Sequence, residues 1–156
     1  MARTTPATRA LDKAGIAYEL FTYAYDPDAP RVGLQAAESL GVPPDRVLKT
    51  LMALVDGKPV CAILASDQEV AMKKLAAAVG GKSAQMMKPA DAERLTGYKV
   101  GGVSPFGQKR QVPTVLDEMA TLHETVFVNG GQRGLQVLIA PGDLVAVLGA
   151  AVVSLT

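Results

Sequence analysis

The stretch that says most about the fold is VLKTLMALVDGKPVCAILA, residues 47–65. Its two halves, 47–55 and 59–65, are short and largely apolar, which is typical of buried strands. Asp56-Gly57 between them is a strong signal for a two-residue turn, because both residue types tolerate a positive φ. We therefore predict a β-hairpin here.

Short helices and strands flank this hairpin on both sides. The predicted helices are one beginning near Pro6 and stopped by Gly15, then 32–40, 72–79, 91–95 and 143–148. The further predicted strands are 17–24, 113–116, 124–128, 135–139 and 151–155. This mixture predicts an α+β fold built on a mixed, curled β-sheet surrounded by helices. No repeat or low-complexity linker interrupts the chain, so we expect a single domain over residues 1–156.

The composition predicts an ordinary globular protein. Apolar residues make up 49% of the chain and charged residues 20%. No apolar run approaches the roughly 18 residues of a membrane span, and the N-terminus lacks the apolar stretch of a secretory signal. The one cysteine, Cys61, cannot form an intramolecular disulfide. We expect a cytoplasmic protein with no membrane association.

Positive charge is concentrated in the middle of the chain. The net charge is +1, but residues 71–110 carry eight Lys/Arg against two Asp/Glu. Such a patch can attract the phosphates of a nucleic acid in a salt-sensitive way. It is equally typical of a solvated helical surface, so charge alone leaves both readings open.

The motifs exclude several enzyme classes. A single histidine, His123, and Cys61 cannot supply a zinc site with the usual ligand spacing. There is no GxxxxGK(S/T) phosphate loop, no GxGxxG after a strand and no GxSxG nucleophile elbow. Cys61 lies in an apolar strand, so we predict a buried structural thiol, and we predict His123 at the surface or at a strand edge. We expect neither a metal nor a cofactor.

Lys49 is the first candidate functional residue, because it interrupts an apolar strand. Alternation predicts that its side chain lies on the same face as Val47 and Leu51. Burying a lysine there is costly unless it is paired or hydrogen-bonded. A lysine that protects an edge strand from pairing with other chains is an equally good interpretation.

Two glycine-rich segments are the other candidates. The loop 97–108, GYKVGGVSPFGQ, can bring backbone N–H groups close to a ligand carbonyl or phosphate. The turn 129–134, NGGQRG, lies between two predicted strands, and an ordinary hairpin turn is its more common use.

At these segments the sequence resembles the YbaK/EbsC family, also called the prolyl-tRNA-synthetase-associated editing domain family. The matching segments, in the family's order, are TPATRALDKAGIAYELFTY (5–23), VLKTL (47–51), GYKVGGVSPFGQKRQVPTVLD (97–117) and VNGGQRGLQVLIAPGDL (128–144). The combination of GYxVGGxSPxGxK with KTL upstream and GGxRGL downstream is specific. The resemblance covers nearly the whole chain.

The resemblance implies a curled partial-barrel sheet and a deacylase that removes the wrong amino acid, usually cysteine, from tRNA(Pro). The catalytic residues that it implies are Lys49, Gly101, Gly102 and Ser104. The substrate-binding residues that it implies are Tyr23, Val32, Thr50, Pro105, Gly130, Gly131 and Arg133. The basic residues that we then assign to tRNA binding are Lys73, Lys74, Lys82, Lys88, Lys99, Lys109 and Arg110.

The resemblance also implies a mechanism without a protein nucleophile. In the cysteine-specific branch the thiol of the substrate attacks the ester carbonyl, while Lys49 positions the α-amino group, the terminal ribose or the phosphate of A76. Backbone amides of residues 101–104 are the candidate oxyanion site.

One position departs from the family's pattern. Family members commonly have Phe where this chain has Val32, and a few methylenes change discrimination by only ~1–3 kcal/mol. Ala-tRNA(Pro) is therefore an alternative substrate, and a non-catalytic module that binds tRNA or a synthetase is a second alternative. We expect a monomer that borrows tRNA specificity from prolyl-tRNA synthetase in a ternary complex.

Overall fold

The computed structural model describes residues 4–28 and 32–156, and the side chains of residues 32 and 33 lie outside that description. The helices are α1 Pro6–Lys13, α2 Val32–Leu40, α3 Met72–Ala78, α4 Pro89–Thr96 and α5 Pro141–Leu148. The strands are β1 Glu19–Thr22, β2 Leu48–Val55, β3 Lys58–Ala65, β4 Ala84–Met86, β5 Thr114–Asp117, β6 Val126–Asn129, β7 Leu135–Ile139 and β8 Ala151–Val153. Short 3-10 helices span Pro44–Arg46 and Glu118–Leu122.

The described strands form two sheets. One has the order β1-β7-β6 and is antiparallel throughout. The other has the order β4-β2-β3-β5-β8, in which β4, β2 and β3 are antiparallel neighbours and β3, β5 and β8 are parallel. A parallel bridge between Val47 and Phe127 joins the sheets at the start of β2. The predicted mixed, curled sheet is thus confirmed as two connected sheets that do not close into a barrel.

Successive side chains of β2 point to opposite faces of the sheet, and both faces pack against a hydrophobic cluster. Leu48 and Met52 pack in the cluster beneath α1, α4 and α5. Leu51 and Ala53 pack on the opposite face, in the cluster that includes Leu75 of α3. Both faces of the larger sheet are therefore covered by helices.

The central hairpin has the predicted geometry. β2 and β3 pair over their full lengths, from Leu48 opposite Ala65 to Val55 opposite Lys58. Asp56 and Gly57 both have positive φ, 49° and 81°, as a type I′ turn requires.

On its other side β2 is only partly paired. β4 pairs with β2 only through Ala53–Val55, and Met52 O accepts from Met87 N at 3.1 Å just beyond. Because alternate residues of a strand direct their backbone groups to the same neighbour, those of Thr50 face away from β3. The stretch from Lys49 to Leu51 therefore borders a gap between β4 and β6.

The sequence predicted all of the described helices and strands except β4, and neither of the two short 3-10 helices. β4 is absent from the predictions, because three residues following Gly80-Gly81 carry no usable alternation. α4 is longer than predicted and begins with Pro89, which suits the first turn of a helix. Among the described residues no helix is long and apolar enough to cross a membrane.

Candidate active site

The gap beside β2 opens into a cleft of about 440 Å³, the size of a small-molecule site. We call it the central cleft. Its walls come from β2, from β4 and the start of α4, from the 97–108 loop and from β6 and β7. Its lining residues are Leu48, Lys49, Thr50, Leu51, Met52, Ser66, Glu69, Met86, Met87, Pro89, Ala92, Val100, Gly101, Val103, Asn129 and Gln136.

Lys49 lies on the wall of this cleft. By strand alternation it shares a face with Leu51, as predicted. Its strand has β3 on one side and the cleft on the other at this point. β2 is an inner strand of its sheet, between β4 and β3, so Lys49 does not protect an outer edge from pairing.

Four buried polar side-chain atoms have no partner within the described residues, and two of them belong to residues that line the cleft. Within residues 4–28 and 32–156 these side-chain atoms are Tyr23 Oη, Gln35 Oε1, Thr50 Oγ1 and Gln136 Oε1. Thr50 and Gln136 line the cleft. Burial raises the pKa of Tyr23, and the neighbouring Gln136 side chain acts in the opposite direction. Such atoms cost free energy unless a ligand or water satisfies them, so the two in the cleft lining indicate a binding site for a polar molecule.

The 97–108 loop forms another wall of the cleft. Gly97 ends α4 in a left-handed conformation, and Gly102 N donates to Lys99 O at 2.8 Å to close a tight turn. Gly101 and Val103 line the cleft. Their amides make no hydrogen bond within the described part of the chain, which narrows the candidate oxyanion donors to these two N–H groups.

The 129–134 turn holds this loop in place. Asn129 Nδ2 donates to Gly101 O at 3.4 Å, and Arg133 Nε donates to Val100 O at 2.9 Å. The Arg133 guanidinium lies 5.4 Å from the ring centroid of Tyr25. On the far side, Thr5 Oγ1 donates to Gly130 O at 2.6 Å. The two glycine segments are therefore one unit, which is clamped by the beginning of α1.

Other predicted site residues lie behind the cleft wall. Ser104 is fully buried, and its Oγ accepts from Phe106 N at 3.2 Å. Gly102 and Pro105 are also buried. Gly131 has a φ of 94° and packs against the ring of Tyr98. None of these four is among the described residues that line the cleft, so in this structure they shape the loops. Val32 lies where side chains are not described.

Cys61 and His123 lie away from the cleft lining. Cys61 is buried, and burial raises the pKa of its thiol to about 12, which fits the predicted structural thiol. His123 is partly exposed, with Nε2 3.4 Å from Asp45 Oδ2. No group of three or more His, Cys, Asp or Glu side chains comes together within the described ranges.

The predicted tRNA-binding residues are spread over several elements. Lys88 precedes α4 and Lys99 precedes Val100, so both adjoin residues that line the cleft. Lys73 and Lys74 lie on α3, where Lys74 Nζ donates to Ser154 Oγ at 3.2 Å. Lys82 lies between α3 and β4, and Lys109 and Arg110 lie in the exposed segment before β5. Lys88 and Lys99 are therefore the two best placed to meet a nucleic acid entering the cleft.

Sequence reasoning missed several cleft residues. Asn129 lay within a candidate turn but received no role, and Gln136 was assigned only to a strand. Gln136 interrupts the apolar strand LQVLI in the way that Lys49 interrupts β2, so the same signal could have found it. Met86 and Met87 carry no such signal.

Solved structures share this divided α+β fold. A solved structure described as a candidate trans-editing enzyme for prolyl-tRNA synthetase superposes with a TM-score of 0.82, with 24% identity and 99% of both chains covered. The model of the aminoacyl-tRNA editing domain matches residues 27–147. The chain belongs to the aminoacyl-tRNA editing domain family.

Two curated relatives illustrate the family. EbsC of Enterococcus faecalis, to which a Cys-tRNA(Pro)/Cys-tRNA(Cys) deacylase activity is assigned, is 38% identical over 138 residues, which cover 88% of this chain and 84% of that protein. Proline–tRNA ligase of Maridesulfovibrio salexigens is 34% identical over 100 residues, which cover 64% of this chain but 17% of the ligase. The predicted family is thus confirmed.

Proposed function

We propose that this protein is a trans-acting deacylase that removes cysteine from mischarged Cys-tRNA(Pro). The observation that carries the proposal is the central cleft, which Lys49 and Thr50 of β2 line together with Gly101 of the 97–108 loop. Family membership supports an aminoacyl-tRNA substrate, and the relative EbsC supports cysteine as the amino acid.

The proposed chemistry uses the substrate's own thiol. The sulfur attacks the ester carbonyl carbon and gives up its proton, and the bond from that carbon to the ribose oxygen breaks. The ribose oxygen leaves with a proton, which regenerates the tRNA, and the cysteinyl group closes into a four-membered thiolactone. Water then opens the thiolactone to free cysteine. The protein has to orient the ester and stabilise the developing oxyanion.

The cleft residues divide these tasks. The Lys49 ammonium supplies positive charge beside the ester, and the amides of Gly101 and Val103 are the candidate donors to the carbonyl oxygen. Thr50 lines the cleft and its Oγ1 lacks a partner within the described protein, so it can bond a polar group of the substrate, whereas Tyr23 lies behind the lining beside Gln136. This arrangement requires no nucleophilic side chain.

Hydrolysis of purified Cys-tRNA(Pro) and Ala-tRNA(Pro) tests the proposal. We expect rapid loss of the cysteinyl ester and little loss of the alanyl ester, because alanine has no thiol. Preference for the alanyl ester would instead support the alternative that Val32 suggested. Binding of tRNA(Pro) without hydrolysis of either ester would show a non-catalytic module.

We further propose that the tRNA is recognised through phosphate contacts at the mouth of the cleft. In this proposal the deacylase is a monomer, and prolyl-tRNA synthetase adds the specificity for tRNA(Pro). Lys88 and Lys99 are exposed beside cleft-lining residues. Replacing both by alanine should weaken tRNA binding and lower the slope of log K against log salt by about 2, since each lysine contributes one phosphate contact. Fluorescence titration at several salt concentrations measures this slope.

The control for this titration is the exposed pair Lys13 and Lys58, which lies outside the cleft lining. Their double alanine variant removes the same charge and should leave the slope unchanged. Equal losses in both double variants would show that only net charge matters.

A further inference from the structure

Gln136 is the least explained polar residue of the central cleft. It lies on β7, directly opposite Asn129 of β6, and is 3% exposed. Asn129 is fully engaged: its Nδ2 donates to Gly101 O and Gln132 O, and its Oδ1 accepts from Gly131 N. Gln136 Oε1, by contrast, has no hydrogen-bond partner in the described part of the chain, and the Gln136 side chain lies between the cleft and Tyr23, whose Oη is also without a partner there. An amide oxygen buried on a cleft wall in this setting can accept a hydrogen bond from a ligand.

The chemistry of this oxygen restricts what the donor can be. An amide oxygen only accepts hydrogen bonds, whereas a lysine ammonium only donates them. The α-ammonium of an aminoacyl ester is a charged donor next to the reacting carbonyl. Lys49 cannot accept from it and carries the same charge, so a hydrogen bond from the α-ammonium has to go to an acceptor elsewhere on the wall.

From this we infer that Gln136 binds the free α-ammonium of the substrate and makes the enzyme selective for it. This inference rests on the proposed function and defines the substrate class more closely. Aminoacyl-tRNA with a free amine is cleaved, whereas N-acylated forms such as peptidyl-tRNA or formylaminoacyl-tRNA are not. Acylation removes the charge and leaves one N–H where the ammonium has three.

The inference also restricts the role of Lys49. If the amine is held at β7, the Lys49 ammonium on β2 is left for the ester carbonyl, the ribose or the terminal phosphate. The cleft then has a cationic group on β2 and an acceptor on β7, and a substrate with a charged amine is oriented by the two together.

The experiment compares cysteinyl-tRNA(Pro) with N-acetylcysteinyl-tRNA(Pro), which keeps the thiol and the ester. We expect the wild-type protein to prefer the free amine by about 10–100-fold in kcat/KM, as for a hydrogen bond to a charged group. Gln136→Leu should lose most of this preference. Its kcat/KM for cysteinyl-tRNA(Pro) should fall, while its kcat/KM for N-acetylcysteinyl-tRNA(Pro) should stay the same. Gln136→Glu keeps an acceptor and should keep the preference.

Further variants keep the result interpretable. Gln111→Leu, at an exposed position outside the cleft lining, is the matched control and should keep the wild-type preference. Glu69 lies at the exposed rim of the cleft and has an interaction partner of its own within the protein. If Glu69→Gln abolishes the preference and Gln136→Leu keeps it, Glu69 binds the amine and the inference is overturned.

The outcomes separate this inference from the proposed function. Equal cleavage of the two esters by the wild-type protein would overturn the role of Gln136 and leave the deacylase assignment intact. Cleavage of neither would overturn both. If Gln136→Leu does not fold, Gln136→Asn replaces it in the experiment. Asparagine carries the same amide on a side chain shorter by one methylene, so it should reduce the preference for the free-amine ester.

Discussion

Lys49→Ala is expected to lower kcat for Cys-tRNA(Pro) deacylation by about 10²–10³-fold, the usual effect of removing one preorganised group that stabilises transition-state charge. Lys49 is the cationic side chain on the β2 wall of the central cleft. Its loss leaves the ester without that charge, and because the side chain is only partly buried the fold should persist. Single-turnover deacylation with saturating enzyme measures the effect on the chemical step.

Lys58→Ala is the matched control, because Lys58 is exposed on the adjoining strand of the same hairpin. It should deacylate at the wild-type rate. Lys49→Ala should melt cooperatively near the wild-type temperature, which separates a chemical defect from unfolding. Wild-type turnover in the folded Lys49→Ala variant would remove Lys49 from the mechanism.

Gly102→Ala is the second variant with a large expected effect. A Cβ at Gly102 would lie 2.8 Å from Arg133 N and 2.9 Å from the Gln132 carbonyl carbon. Both are backbone atoms, so the 97–108 loop has to move away from the 129–134 turn. Displacing a substrate-positioning element by about 1 Å can cost ~10²-fold in rate, and overpacking costs about 1–3 kcal/mol of stability. Deacylation kinetics and thermal unfolding measure the two effects.

Gly142→Ala separates the loop effect from glycine replacement in general. A Cβ at Gly142 meets nothing within 4 Å, and this glycine lies in the first turn of α5. Alanine there should leave activity unchanged and not reduce stability. If Gly102→Ala destabilises the protein but deacylates normally, the loop does not position the substrate.

Local sequence signals predicted the elements whose patterns are strong. The bounds of α2 and β7 match the predictions, and the Asp56-Gly57 turn has the expected type I′ geometry. Pairing across the chain carries no such signal. That β1 pairs with β7, and that β2 has no second partner before Ala53, follows from tertiary packing alone.

The candidate site shows the same division. Lys49 was identifiable because a charged residue in an apolar strand needs an explanation. Ser104 belongs to a specific motif, but its hydroxyl is used by the backbone of Phe106, and a motif cannot tell a structural hydroxyl from a reactive one. Gln136 gave the same signal as Lys49 and was overlooked because an amide is less costly to bury than a charge.

The hydrogen bond from Thr5 to Gly130 has a consequence for biosynthesis. It joins residues 125 positions apart, and the 129–134 turn that it braces in turn bonds the backbone of Val100 and Gly101. Long-range closures of this kind form late and cooperatively. The cleft is therefore incomplete in a nascent chain whose β7 has not yet left the ribosome. Deacylase activity would then be detected only in the fully folded protein.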